Sequence, residues 1–116
     1  GGRDIVAYTA EILPFNFSYQ RKWIFQCKRW KKMPTTTQIL NEVDTASQHK
    51  PDFWVLVIPV NPTPSQIDFF NRINGSKPFK ILYIPLAMIE EIIHTYPETK
   101  NILLYGKLPE RSLSNV

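Results

Sequence analysis

Three side chains near the start of the chain have types that can act together: Asp4, Gln26 and Lys28. A carboxylate and an amide offer oxygen to a hard cation, and an ammonium offers positive charge to an anion. Gln26 and Lys28 stand in KWIFQCKRWKK (22–32), rich in Trp and Phe. Read as a β-strand, alternation sends Trp23, Phe25 and Cys27 to one face and Ile24, Gln26 and Lys28 to the other. The first face reads as core. An unpaired buried polar group costs about 1–3 kcal/mol, and an unpaired charge more, so the second face is either wet or a site.

Holding those groups together requires a defined set of elements. DIVAYTAEI (4–12) is rich in β-formers and reads as a strand ending before Pro14. PFNFSYQRK reads as a turn or short loop, and KWIFQCKRW (22–30) as a second strand antiparallel to the first, which brings Asp4 near Gln26. The spacing of Ile39, Leu40, Val43 and Ala46 predicts an amphipathic helix capped by a threonine within 35–37 and ended by Pro51. FWVLVIPV (53–60) is apolar on both faces, as a central strand covered on each side should be. Thr63, Pro64 and Gln66 predict a capped second helix with Ile67, Phe70 and Ile73 on one stripe, and Gly75 reads as its left-handed or helix-stop residue. KILYIP is a further strand, and Ile89, Ile92, Ile93 and Tyr96 mark the core side of a third helix.

The chain has 116 residues, the size of one domain with a real core, and 43% hydrophobic with 21% charged residues is a folding composition. A net charge of +4 suits a polyanionic partner without demanding one. Cys27 is the single cysteine, which excludes an intrachain disulfide and a cysteine-rich zinc site, and His49 and His94 have no ligand spacing around them. The longest apolar run is too short to span a bilayer and GGRDIVAY has no signal-peptide layout, so no membrane contact and a cytoplasmic setting are expected. With no initiating Met and a candidate residue at position 4, the chain is expected to be part of something longer, truncated at its N-terminus.

GGRD, a strand, a loop and then FQCKRW together resemble the nuclease signature of the PD-(D/E)XK superfamily, in the Gln-x-Lys form of Mrr-like restriction endonucleases. The order of elements after the Gln-x-Lys strand is similar too. HTYPETKNILLYGKLPE is similar to the closing segment of related nuclease domains that precede an NTPase in bacterial antiviral STAND proteins. The resemblance implies an α/β, restriction-endonuclease-like mixed central sheet flanked by helices over residues 1–110, with 111–116 a linker or tail. It implies hydrolysis of double-stranded DNA with Mg²⁺ or Mn²⁺, in defence against foreign DNA, by a homodimer or higher oligomer carrying further domains. Asp4 would be the first metal-binding acid, Gln26 would stand where the superfamily commonly has an acid, and the Cys27 main-chain carbonyl would complete the protein ligands. Lys28 would face the scissile phosphate. Phosphodiester hydrolysis needs an in-line water and positive charge on the phosphate, which a hard cation and a lysine supply.

Arg29, Lys31 and Lys32, interleaved with Trp30, form the densest basic cluster and are the candidate DNA contacts, against a reading as a solvated strand end. Taken alone, Asp4 reads as a turn residue, and Gln26 with Lys28 as the exposed face of an edge strand. Glu11 is a second acid only if its strand bends toward the site, and otherwise a surface charge. Cys27 reads as a small core residue, and Glu90 and Glu91 as the wet side of a helix. The competing functional class is a nuclease-fold domain that has lost catalysis and binds DNA or serves as a protein-interaction scaffold.

Overall fold

The computed structural model describes residues 2–28 and 31–101. Its strands are β1 (Gly2–Ile12), β2 (Ser18–Lys28), β3 (Phe53–Val57) and β4 (Lys80–Ile84); its helices are α1 (Thr36–Ser47), α2 (Pro64–Asn74) and α3 (Leu86–Thr95). The sheet runs β1-β2-β3-β4, with β1 antiparallel to β2 and the remaining pairs parallel. The protein is therefore a mixed α/β domain, as the alternation of patterns predicts. The tail at 111–116, and Arg29 and Trp30, lie outside the described residues.

Two apolar layers hold the sheet. On one face Ile24, Trp54, Leu56 and Ile81 meet Ile39 and Val43 of α1 and Phe70 and Ile73 of α2. On the other, Cys27, Val55 and Val57 meet Ile89 of α3, with Trp23 and Phe25 packed at the margin. Successive β3 residues thus enter opposite cores, and Trp54, Val55, Leu56 and Val57 are all buried. Each such aliphatic side chain contributes about 1.5–3 kcal/mol by leaving water. The strand stops at Val57 rather than running to Val60, because Pro59 has no N–H to donate; Ile58 remains buried and its N–H reaches the Ile84 carbonyl.

Both helix starts form as the sequence predicts. The Thr35 and Thr63 side chains accept from the N–H groups of Gln38 and Gln66, whose amides reach back to the capping residues. Gly75 stops α2 in an ordinary right-handed conformation (φ −78°), not a left-handed one. Leu40, Ile67 and Tyr96, expected toward the core, are exposed. Leu40 lies roughly 90° around α1 from the centre of the Ile39, Val43 and Ala46 stripe, and Phe69 shifts the α2 stripe away from Ile67 in the same manner. Tyr96 follows the last residue of α3, where the backbone has already left the helix.

The hairpin is longer than expected. Residues 18–21, read as loop, belong to β2 and pair with 9–12 of β1, so that only Pro14–Asn16 turns the chain. Glu11 anchors this outer half: the Tyr19 hydroxyl donates to it at 2.6 Å and Arg21 forms an ion pair with it. At the turn Phe15 and Asn16 both take φ of 64°, a conformation that non-glycine residues rarely adopt. Among the described residues no helix is long and apolar enough to cross a membrane.

Candidate active site

The antiparallel ladder sets Asp4 directly opposite Gln26, and Gly2 opposite Lys28. Residues facing each other across such a ladder share a face, so Asp4, Gln26 and Lys28 lie on one side of the hairpin. The acid and the amide, 22 positions apart in the chain, become nearest neighbours through the register alone. Ile24 and Val6 continue the same face, and there α1 comes down on the sheet.

Sheet and helix do not close completely. Between them lies a cleft of about 510 Å³, with Asp4, Gln26, Lys28 and Lys22 on its sheet side and Asn41, Glu42, Thr45 and His49 on its helix side. The wet-or-site question of the Gln26 and Lys28 face is answered geometrically: the face is covered by a helix, and its polar groups open into a cavity. Asp4 is exposed and Gln26 half-buried, while the Lys28 side chain retains 11% exposure.

Glu42 forms an ion pair with Lys28. The sequence reading missed Glu42, although the signal is present: it stands three residues after Ile39 and four before Ala46, at the edge of the stripe that α1 turns to the sheet. An acid in such a stripe is held by a partner from the facing element, here the last residue of β2. At the other end of the cleft, the Lys22 ammonium donates to the His49 carbonyl oxygen at 2.9 Å, and the Lys22 N–H donates to Asp52 at 2.7 Å. His49, read only as an isolated helical histidine, thus borders the cleft.

Cys27 points the opposite way. Its side chain is buried among Val55, Val57 and Ile89, and burial, with the nearby Asp4 charge adding, pushes the thiol up to about 11. It is a core residue, as read, and only its main chain can serve the Asp4 face. Glu11 belongs to the opposite face of β1, in its ion pair with Arg21 near the hairpin turn, and is a surface charge. Lys31 and Lys32 are exposed on the segment leading to α1 and do not line the cleft.

Among the described residues no cluster of three or more His, Cys, Asp or Glu side chains could hold a metal ion. The donor set that does occur, one strand carboxylate with an amide oxygen across from it, fits a hard cation that keeps most of its water and takes one or two carboxylates. No protein-family model matches the chain, and no curated protein or solved structure was found to match it.

Proposed function

We propose that this chain is a restriction-endonuclease-like nuclease domain of the Mrr type, hydrolysing phosphodiester bonds of double-stranded DNA with Mg²⁺ or Mn²⁺. The observation that carries the reading is the ladder register: Asp4 faces Gln26, and Lys28 follows on the same side in one solvent-accessible cleft. This is the arrangement the Gln-x-Lys resemblance requires.

Asp4 and Gln26 would hold the cation by carboxylate and amide oxygen, with the Cys27 carbonyl as the third protein donor. The cation supplies positive charge to the phosphate and acidifies water. Lys28 brings a fixed positive charge to the phosphate oxygens, where negative charge grows as the bond to the leaving oxygen lengthens. The overall charge of +4 favours approach of the polyanion. Lys31 and Lys32, exposed beyond the cleft, are suited to backbone contacts that lower affinity and salt dependence when removed. The setting proposed is cytoplasmic defence against foreign DNA, with further domains and self-association bringing two sites to the two strands.

One observation favours the competing reading of DNA binding without cleavage. Gln26 leaves Asp4 as the sole carboxylate that the strands contribute to the cleft among the described residues, so a cation would be held with one charge fewer. Supercoiled-plasmid cleavage in Mg²⁺, Mn²⁺ and EDTA, by wild type, Asp4→Ala and Lys28→Ala, separates the two. Metal-dependent nicking lost in both variants is the expected result. DNA binding without a metal-dependent product would replace the nuclease reading by the binding one, and activity surviving both substitutions would remove this site from the chemistry.

A further inference from the structure

We propose that Glu42 is a positioning residue, holding the Lys28 ammonium at the floor of the cleft; its catalytic consequence rests on the nuclease reading above. Lysine carries its charge on a flexible four-carbon stem, and a displacement of about 1 Å in a reacting group can cost 10²-fold in rate. Something must restrict the stem. Lys28 is the last residue of β2, and its ion pair reaches a different element, α1.

The partner is itself fixed. On either side of Glu42 along the stripe, Ile39 is 1% and Val43 0% exposed, and the capping box at Thr35 secures the start of the same helix. The carboxylate thus projects from a rigid support packed against the sheet, and the Glu42 side chain keeps 25% exposure on the cleft side. An ammonium has three donors, so an ion pair with one carboxylate does not by itself preclude a hydrogen bond to a phosphate oxygen. Glu42 therefore helps to aim the lysine. The second cleft lysine, Lys22, is anchored to a neutral carbonyl oxygen at the far end, so the two cations are held by different chemistry.

Removing the Glu42 charge has two separable effects. The cleft becomes more positive, which draws a polyanion more strongly, while the lysine loses its ion-pair anchor on α1. Glu42→Gln should accordingly lower kcat by about tenfold or more with KM unchanged or reduced, a split that weakened substrate binding would not give. Glu42→Asp keeps the charge on a shorter arm and should fall between the two.

The test uses the whole chain, with steady-state cleavage of a duplex oligonucleotide and ¹³C relaxation of the lysine Cε groups in the same three proteins. The expected result is a Lys28 order parameter that falls in Glu42→Gln toward that of the exposed Lys80, together with the kcat loss. An unchanged Lys28 order parameter overturns the proposal whatever the rates do, and a fall in order with kcat unaltered overturns the catalytic role. If the wild type shows no metal-dependent cleavage, the nuclease reading fails, while the anchoring of Lys28 still stands or falls by the relaxation data alone.

Discussion

Replacing Gln26 by glutamate puts a second carboxylate directly across the ladder from Asp4. Opposed side chains in an antiparallel pair start about 4.5–5.5 Å apart at Cβ, and like charges there are destabilising. At about 5 Å and an effective dielectric constant near 20, the repulsion is about 3 kcal/mol; the exposure of Asp4 and the Lys28 ammonium on the same face reduce it to about 1–2 kcal/mol. For a domain of this size about 4 °C of melting temperature corresponds to 1 kcal/mol, so Gln26→Glu in EDTA should melt about 4–8 °C below wild type. Excess Mg²⁺ reverses the sign. Two facing carboxylates make a better cation site than an acid and an amide, and a ligand at about 100 times its Kd stabilises by about 2.7 kcal/mol. The variant should therefore gain more from Mg²⁺ than wild type does, and in Mg²⁺ should melt at or above the wild-type value. Thermal melts followed by circular dichroism in EDTA and in Mg²⁺ decide it. A variant as stable as wild type in EDTA would show that Asp4 and residue 26 do not face each other, and an EDTA defect that Mg²⁺ leaves in place would remove them from cation binding.

Three further outcomes follow from the packing and the ion pairs. Leu56→Ala, in a fully buried β3 position, should cost about 2–5 kcal/mol in denaturant unfolding; Trp54→Phe should cost less, because it deletes a buried indole N–H that has no hydrogen-bond partner among the described residues. With its thiol raised to about 11 from an ordinary 9.0, Cys27 in the native protein should react with a disulfide reagent at pH 8 about tenfold more slowly than in urea, before counting steric protection, because about 100-fold less thiolate is partly offset by its greater nucleophilicity. The Tyr19 hydroxyl and then Arg21 hold the Glu11 carboxyl below its usual range, so this anchor is complete above the ordinary carboxylate value and is lost as pH falls through the lowered one; the Tyr19 ring resonances should report that loss with a midpoint below that of a free glutamate.

Much of this could be read from residue order, for reasons that differ by element. Strand alternation alone separated Cys27 from Gln26 and Lys28, and cap chemistry alone located the starts of α1 and α2. The misplaced apolar residues have two causes. Leu40 and Ile67 are apolar at near-helical spacing, and which of several such residues turns inward is settled by the facing sheet rather than by the helix itself, whereas Tyr96 lies just past the end of α3. Glu42 escapes notice for the converse reason: the pattern of Ile39, Val43 and Ala46 singles out the apolar residues alone, and the acid beside them is half-buried through a partner on another element. The extension of β2 back to Ser18 depends on Glu11 meeting Tyr19 and Arg21 across the hairpin, a pairing that no single strand displays.

The placement of Asp4 and Gln26 on one hairpin has a consequence for the order in which the molecule assembles. Their juxtaposition needs only a three-residue turn and the zipping of adjacent strands, events of about 1–10 μs for a hairpin. The parallel pairing of β2 with β3 cannot occur until the chain has travelled through α1, and such non-local contacts form later because a larger loop must close first. Asp4 and Gln26 therefore come together early, while Glu42 reaches Lys28 only once α1 docks. A partly folded chain can possess the acid and the amide in register and still lack an anchored lysine, which makes helix docking the step that completes the cleft.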